Sequence, residues 1–161
     1  MSASGICRLA AAALVFSCTA SFADAPPAAQ IKPRQDKLRD MGGALKAITD
    51  ELKKPKVDWD NVIIPNTQTI KDRSGYLLNW FPKGSGPEAG VKTYALPAIW
   101  QKQDDFTKIG KAAQAEAIKL DQVANSKNLD ALKAEAVTMG KACKACHDDY
   151  RSKDYEKEND E

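Results

Sequence analysis

Histidine occurs once in the 161 residues, at position 147. The absence of a second one removes the usual acid–base partner of enzymatic proton transfer, and nothing else in the chain supports a reading as an enzyme. No stretch beyond the leader approaches the 18 or more uninterrupted apolar residues of a membrane-spanning helix, so no membrane insertion is expected of the mature chain. An excess of one charge sign is also missing, with 24 basic against 22 acidic groups. That balance gives no reason to expect nucleic acid or a membrane surface as partner. There is no internal repeat, and little of the chain alternates as a strand would.

What is present begins with a leader. Residues 1–23 combine an early charge at Arg8, an apolar run from Leu9 to Phe16 and the small-residue ending Ser21-Phe22-Ala23, the pattern of a secretory signal peptide cleaved after Ala23. A lipid anchor on Cys18 is the competing reading, and bulky Phe16 speaks against it. Cys7 and Cys18 leave with the leader, and the exported chain is expected in a periplasm. The remainder divides into a short leader over 24–30, one domain over 31–151 and a charged tail over 152–161 that should fray.

The mature chain keeps two cysteines, in Cys143-Lys144-Ala145-Cys146-His147. Cys-x-x-Cys-His is the attachment pattern of one covalent haem c, with Cys143 and Cys146 bonded to the porphyrin vinyl groups and His147 bound to iron. Leu129, Leu132, Ala136, Met139, Cys143, Cys146 and Tyr150 recur at steps of three and four, so both sulfurs share the inward face of one helix. Residues three apart on such a face stand roughly 5–6 Å apart, a plausible reach to two vinyls of one porphyrin. Structural zinc would need a fourth ligand. A redox dithiol or plain disulfide would suit a helix start after a strand better than the end of a helix.

Four amphipathic helices are expected. The first opens near Pro33 with the stripe Leu38, Met41, Leu45, Ile48 and Leu52, and stops before Pro55. A second starts after Asp58 with Val62, Ile63, Ile70, Leu77 and Phe81 inward, kinked or delayed by Pro65 and weakened by Gly75. A Gly- and Pro-rich loop over 82–96 then crosses one end of the molecule. The third helix runs from about Pro97 to Asn125, and the fourth, from about Asn128, carries the Cys-x-x-Cys-His box. This is the pattern of an all-α, antiparallel, up-and-down four-helix bundle whose small inward alanines leave room for a flat group. Trp59, Trp80, Trp100 and Phe106 read as packing residues, and Tyr150 as an inward phenol needing a hydrogen-bond partner.

Ile31-Lys32-Pro33-Arg34-Gln35, Phe81-Pro82-Lys83-Gly84-Ser85-Gly86, Pro97-Ala98-Ile99-Trp100 and the haem box followed by Tyr150-Arg151 occur here in that order. In this the chain resembles the class II c-type cytochromes, the cytochrome c′ family, itself a standard example of the four-helix bundle. The resemblance implies that Arg34 approaches a haem propionate and that Arg151 lies beside the proximal histidine, although the family usually has an aromatic where this chain has Pro33. Read from the residues alone, both arginines are as well explained as solvated surface charges. The resemblance further implies a homodimer through the first helix.

The sixth iron position separates two functions. Met139 shares a helix with His147 and cannot cross to the opposite face, which leaves Met41 as the one candidate ligand. Both Leu38 and Met41 lie on the core stripe of the first helix. The family register places the distal residue four after the arginine and four before a glycine, which Arg34 and Gly42 assign to Leu38. Leucine there implies five-coordinate iron that binds nitric oxide or carbon monoxide. Met41 there would instead make a low-spin His/Met cytochrome that exchanges electrons with periplasmic redox proteins. A haem-free helical adaptor is the third reading.

Overall fold

The structure is a computed structural model that describes residues 26–159. The expected signal peptide over 1–23, with Cys7 and Cys18, lies outside the described residues.

A 3-10 turn at Pro27–Gln30 leads into α1, Ile31–Glu51. Pro33 falls in the first turn, where a missing N–H costs nothing, so α1 starts two residues before the position expected for it. At its far end Glu51 is buried, accepting hydrogen bonds from the Asp58 N–H (2.9 Å) and from Lys54 Nζ (2.6 Å). That carboxylate ties α1 to the next element.

Asp58 caps that element as expected, its carboxylate accepting from the Asn61 N–H at 3.0 Å. A π turn at Trp59–Ile63 passes into α2, Ile64–Ser74. The wide turn resets the register, so Pro65 sits in the first turn of the α-helical segment and does not interrupt it. The helix is shorter than its apolar pattern suggested. It ends at Ser74, and Leu77 belongs to a separate 3-10 turn, Leu77–Trp80, that leads to Phe81 and the crossover. The crossover contains one more 3-10 turn, Pro87–Ala89.

The expected third helix is two pieces, α3 (Ala98–Gln101) and α4 (Gln103–Asn125), separated at Lys102 by a non-helical ψ of 52°. The break lets α3 fold back so that Trp100 Nε1 reaches the Phe81 and Pro82 carbonyls, each at 3.1 Å. Asn128 caps α5, Leu129–Tyr150, through the Ala131 N–H at 3.0 Å. Beyond it the charged tail does not fray as expected: residues Asp154–Asn159 form a sixth helix, α6.

α1 packs on α2, α2 on α4, α4 on α5, and α5 back on α1, so sequential long helices are neighbours round an up-and-down bundle. Gly110 lets α4 approach the Leu77–Trp80 turn closely, since a Cβ there would stand 2.5 Å from Leu78 Cδ2. Ile48, Ile63, Leu120, Ala124 and Leu132 form the centre of the main core, all at 0% exposure. Each large member contributes on the order of 1.5–3 kcal/mol by leaving water. A smaller cluster, Ile99, Phe106 and Tyr150, closes the other end under α3.

Polar ties cross the helix contacts. Asp121 of α4 accepts from Lys71 Nζ (2.5 Å) and Thr67 Oγ1 (3.1 Å) of α2. Between α4 and α5, Lys119 pairs with buried Glu135 at 2.7 Å, while Glu116 Oε2, 3.9 Å from Lys119 Nζ, and Glu135 Oε1 are buried oxygens that accept no hydrogen bond. The Glu116 carboxyl is held above its usual range, chiefly by the neighbouring Glu135 carboxyl.

Candidate cofactor site

Between the two clusters the bundle is hollow. A cavity of about 390 Å³ lies between α1 on one side and α5 from Met139 to its end on the other, with the crossover along its edge. α5 contributes Met139, Cys143, Cys146, His147 and Tyr150, the stripe anticipated from the three- and four-residue spacing. α1 contributes Arg34, Leu38, Met41 and Leu45. The cavity exists because volume is missing from both helices: Ala113 and Ala142 line it, and a Cβ at Gly42 or Gly43 would meet nothing within 4 Å.

Every candidate site residue therefore borders the same space. Cys143 and Cys146 are free thiols one helical turn apart. Burial raises both, Cys146 to about 11, so they are protonated at neutral pH. His147 is held down to about 4, first by burial and then by the charge of Arg151, which leaves a neutral imidazole with a lone pair available to a metal. Tyr150 is pushed up to about 12 by burial, and its hydroxyl donates to Asp105 Oδ2 at 2.8 Å, the partner its inward position required.

Arg34 is not the solvated surface charge that its residue type suggests, being only 2% exposed. Nη1 donates to Ser85 Oγ (2.9 Å) and to the Trp80 carbonyl (3.4 Å), while Nη2 donates to the Ser85 carbonyl and Thr93 Oγ1, both at 3.0 Å. The guanidinium also lies 4.6 Å from the centre of the Phe81 ring. All four acceptors are neutral, and burial lowers its pKa to about 10. Arg151, at the end of α5, is partly exposed. Its backbone N–H donates to the His147 carbonyl (3.2 Å) and its Nη2 to Glu156 Oε1 (3.0 Å).

Sequence reasoning missed the residues that seat these arginines. Ser85 and Thr93 act through a loop fold that no periodicity encodes. Tyr94 and Tyr155, which also line the cavity, come from the crossover and from a tail that read as solvated. The Cys-x-x-Cys-His box was the one local signal that located the space.

The donor chemistry fits a c-type haem: two neighbouring thiols and one neutral imidazole on one wall, apolar side chains opposite, and the guanidinium groups of Arg34 and Arg151 among the lining. Among the described residues, no group of three or more His, Cys, Asp or Glu side chains is placed to hold a bare metal ion.

Comparison with known proteins gives the same answer. The family model described as cytochrome c′ matches residues 29–151. The chain is 34% identical over 130 residues to cytochrome c′ of Alcaligenes xylosoxydans xylosoxydans, an alignment covering 80% of this chain and 98% of that one. In structure it is similar to cytochrome c′ of Thermochromatium tepidum, with a TM-score of 0.75 at 26% identity, covering 81% of this chain and 99% of the other. It is also similar to a nitric oxide complex of a variant cytochrome c′ from Alcaligenes xylosoxidans, with a TM-score of 0.71 at 29% identity, covering 80% and 98%. With the box, the hollow bundle and these relatives agreeing, the chain belongs to the cytochrome c′ family, whose members carry covalently attached haem c.

Proposed function

We propose that this protein is a periplasmic gas-binding cytochrome, with haem c held by Cys143 and Cys146, His147 as the proximal ligand, and the opposite iron position left open beneath Leu38. The haem supplies the iron at which a small uncharged gas, nitric oxide or carbon monoxide, is bound. The chain's own residues orient the group, keep the distal wall apolar and exclude competing ligands. Export through residues 1–23 and a homodimer through α1 complete the reading.

The observation that carries it concerns α1. Leu38 and Met41 both border the cavity, but Met41 is also packed into the closed-end core with Ala44, Ile48 and their neighbours, whereas Leu38 is not. A thioether engaged in that core is poorly placed to serve iron, and leucine has no atom that can bind it. The nitric oxide complex of the related Alcaligenes xylosoxidans variant supports the same chemistry. The neutral His147 imidazole suits the proximal role.

The His/Met electron-carrier reading stays in view because Met41 does line the cavity. Optical spectra of the haem-loaded protein decide between them. The ferric form should be high-spin at neutral pH, and the ferrous form should bind carbon monoxide. Leu38→Met should convert it to a low-spin His/Met haem, while Met41→Leu should change little. A low-spin wild type that becomes high-spin on Met41→Leu would overturn the proposal and make the protein an electron carrier.

A further inference from the structure

The family match ends at Arg151, yet the chain beyond it is built against the cavity. Tyr155 of α6 lines the space. Its ring meets that of Tyr94 edge-on, with centroids 5.1 Å apart and planes at 86°, and the Arg151 guanidinium lies 4.4 Å over its face. Glu156 accepts from Arg151 Nη2 at 3.0 Å. Glu158 accepts from Tyr94 Oη at 2.7 Å and pairs with Lys92. The approach to α6 is fixed by backbone: the Ser152 N–H donates to the Tyr94 carbonyl at 2.7 Å, and Ala95 bridges Arg151. Tyr94 and Arg151 are themselves cavity walls, so α6 fastens the crossover to the end of α5 along one open edge of the slot.

We propose that α6 is a strap over the edge of the haem slot, which hinders electron exchange between the bound haem and reagents in solution while leaving the gas-binding face under Leu38 unaffected. This rests on the haem reading above and gives it a physical reason to favour gas binding over electron carriage. Outer-sphere exchange requires close approach to the edge of the conjugated ring, and Tyr155 with Tyr94 and Arg151, which line the slot, would stand in that approach for a haem held there. The distal wall belongs to α1 and takes no contact from α6 in the bonds just described.

The strap is also built to release. Six residues are too few for a helix to persist alone, so its order depends on its docking contacts. The ion pairs among them lie at the surface: Glu156 at 52% side-chain exposure with Arg151 at 25%, and Glu158 at 45% with Lys92 at 69%. Exposed ion pairs of this kind contribute little individually and weaken in salt. Shielding of the haem edge is then adjustable by ionic strength.

The test uses the haem-loaded full chain, the same chain ending at Ser152, and a full-length E156Q/E158Q variant. Oxidation of the ferrous proteins is timed with neutral p-benzoquinone, so that the charge lost with the tail does not alter the encounter. The truncated chain should be oxidised several-fold faster than the full chain, with E156Q/E158Q in between at low salt and the full chain approaching it at high salt. Carbon monoxide affinity and the ferric spin-state bands should be the same in all three. Hydrogen exchange at the amides of residues 154–159 should be slow in the full chain and fast in E156Q/E158Q. Equal oxidation rates in the three proteins would overturn the shield, as would a rise in carbon monoxide affinity parallel to the oxidation rate, which would mean a general loosening. A chain that carries no covalent haem would instead defeat the site reading, and the hydrogen-exchange comparison would still decide whether α6 is docked.

Discussion

The two halves of α5 pose the same periodic pattern to different effect. In its first half Leu132, Ala136 and Met139 meet Ile48, Ile63, Leu120 and Ala124, and the space between the helices is filled. In its second half Cys143 and Cys146 continue the stripe at the same spacing, but across from them stand Leu38, Ala113 and the glycines at 42 and 43, and a cavity of about 390 Å³ remains. A four-helix pattern sets which way side chains point; their summed volume sets whether the interior is a core or a socket. One end of this bundle is complete in protein. Between it and the smaller cluster under α3, the interior is complete only with a cofactor.

That contrast can be broken most severely at the sulfurs. Cys143→Ala combined with Cys146→Ala should leave every molecule without haem that survives acid–acetone extraction. In that variant, amides of the last turns of α5 and of α1 around Leu38 should exchange quickly, while those around Leu132 and Leu120 keep most of their protection. Equal loss of protection at both ends would show that the closed end is not self-sufficient.

A cavity placed in the filled end should have the opposite signature. Leu120→Ala removes a side chain at 0% exposure and should cost about 2–5 kcal/mol of unfolding free energy, measured in denaturant, with the visible spectrum of the loaded protein unchanged. A shifted spectrum would mean that the two ends are mechanically coupled.

The smallest effect is a pH dependence of the open end. In the haem-free chain His147 should titrate at about 4 against an ordinary 6.5, followed by the ring-proton resonances of the only histidine. Its folded form takes the proton less readily than its unfolded form. It therefore costs no stability above about pH 6.5, and stability falls as the pH drops from there towards 4. A midpoint near 6.5 would mean that the socket is open to water when empty.

These regions also differed in how far the sequence could be read. The three- and four-residue spacing gave the bundle, the closed-end core and the inward face of α5, because side-chain direction on a helix follows from position alone. The Cys143 to His147 box marked the socket because one scarce residue type stood where a specific chemistry needs it. What could not be read depended on contacts between distant segments. The break at Lys102 serves the fold-back that seats Trp100 on the crossover carbonyls. Arg34 looked like any surface cation until Ser85 and Thr93 closed over it. The tail, acidic and short, had no local reason to be helical, and its order comes from Lys92, Tyr94 and Arg151. Met41 and Leu38 share one stripe in the sequence; only packing separates the one engaged with the core from the one that is not.

The neighbouring carboxyls of half-buried Glu116 and buried Glu135 have a consequence for how this protein exchanges heat with its buffer. With the Glu135 carboxyl beside it, Glu116 is held above its usual range, so the folded chain keeps that proton to higher pH than the unfolded chain does. Lys119 stands 2.7 Å from Glu135 and 3.9 Å from Glu116, so it offsets the first charge more than the second. Folding in mildly acidic solution thus draws a proton out of the solvent. The same sample unfolded in acetate and in a buffer of larger ionisation enthalpy should yield different calorimetric heats, although its midpoint at fixed pH need not move.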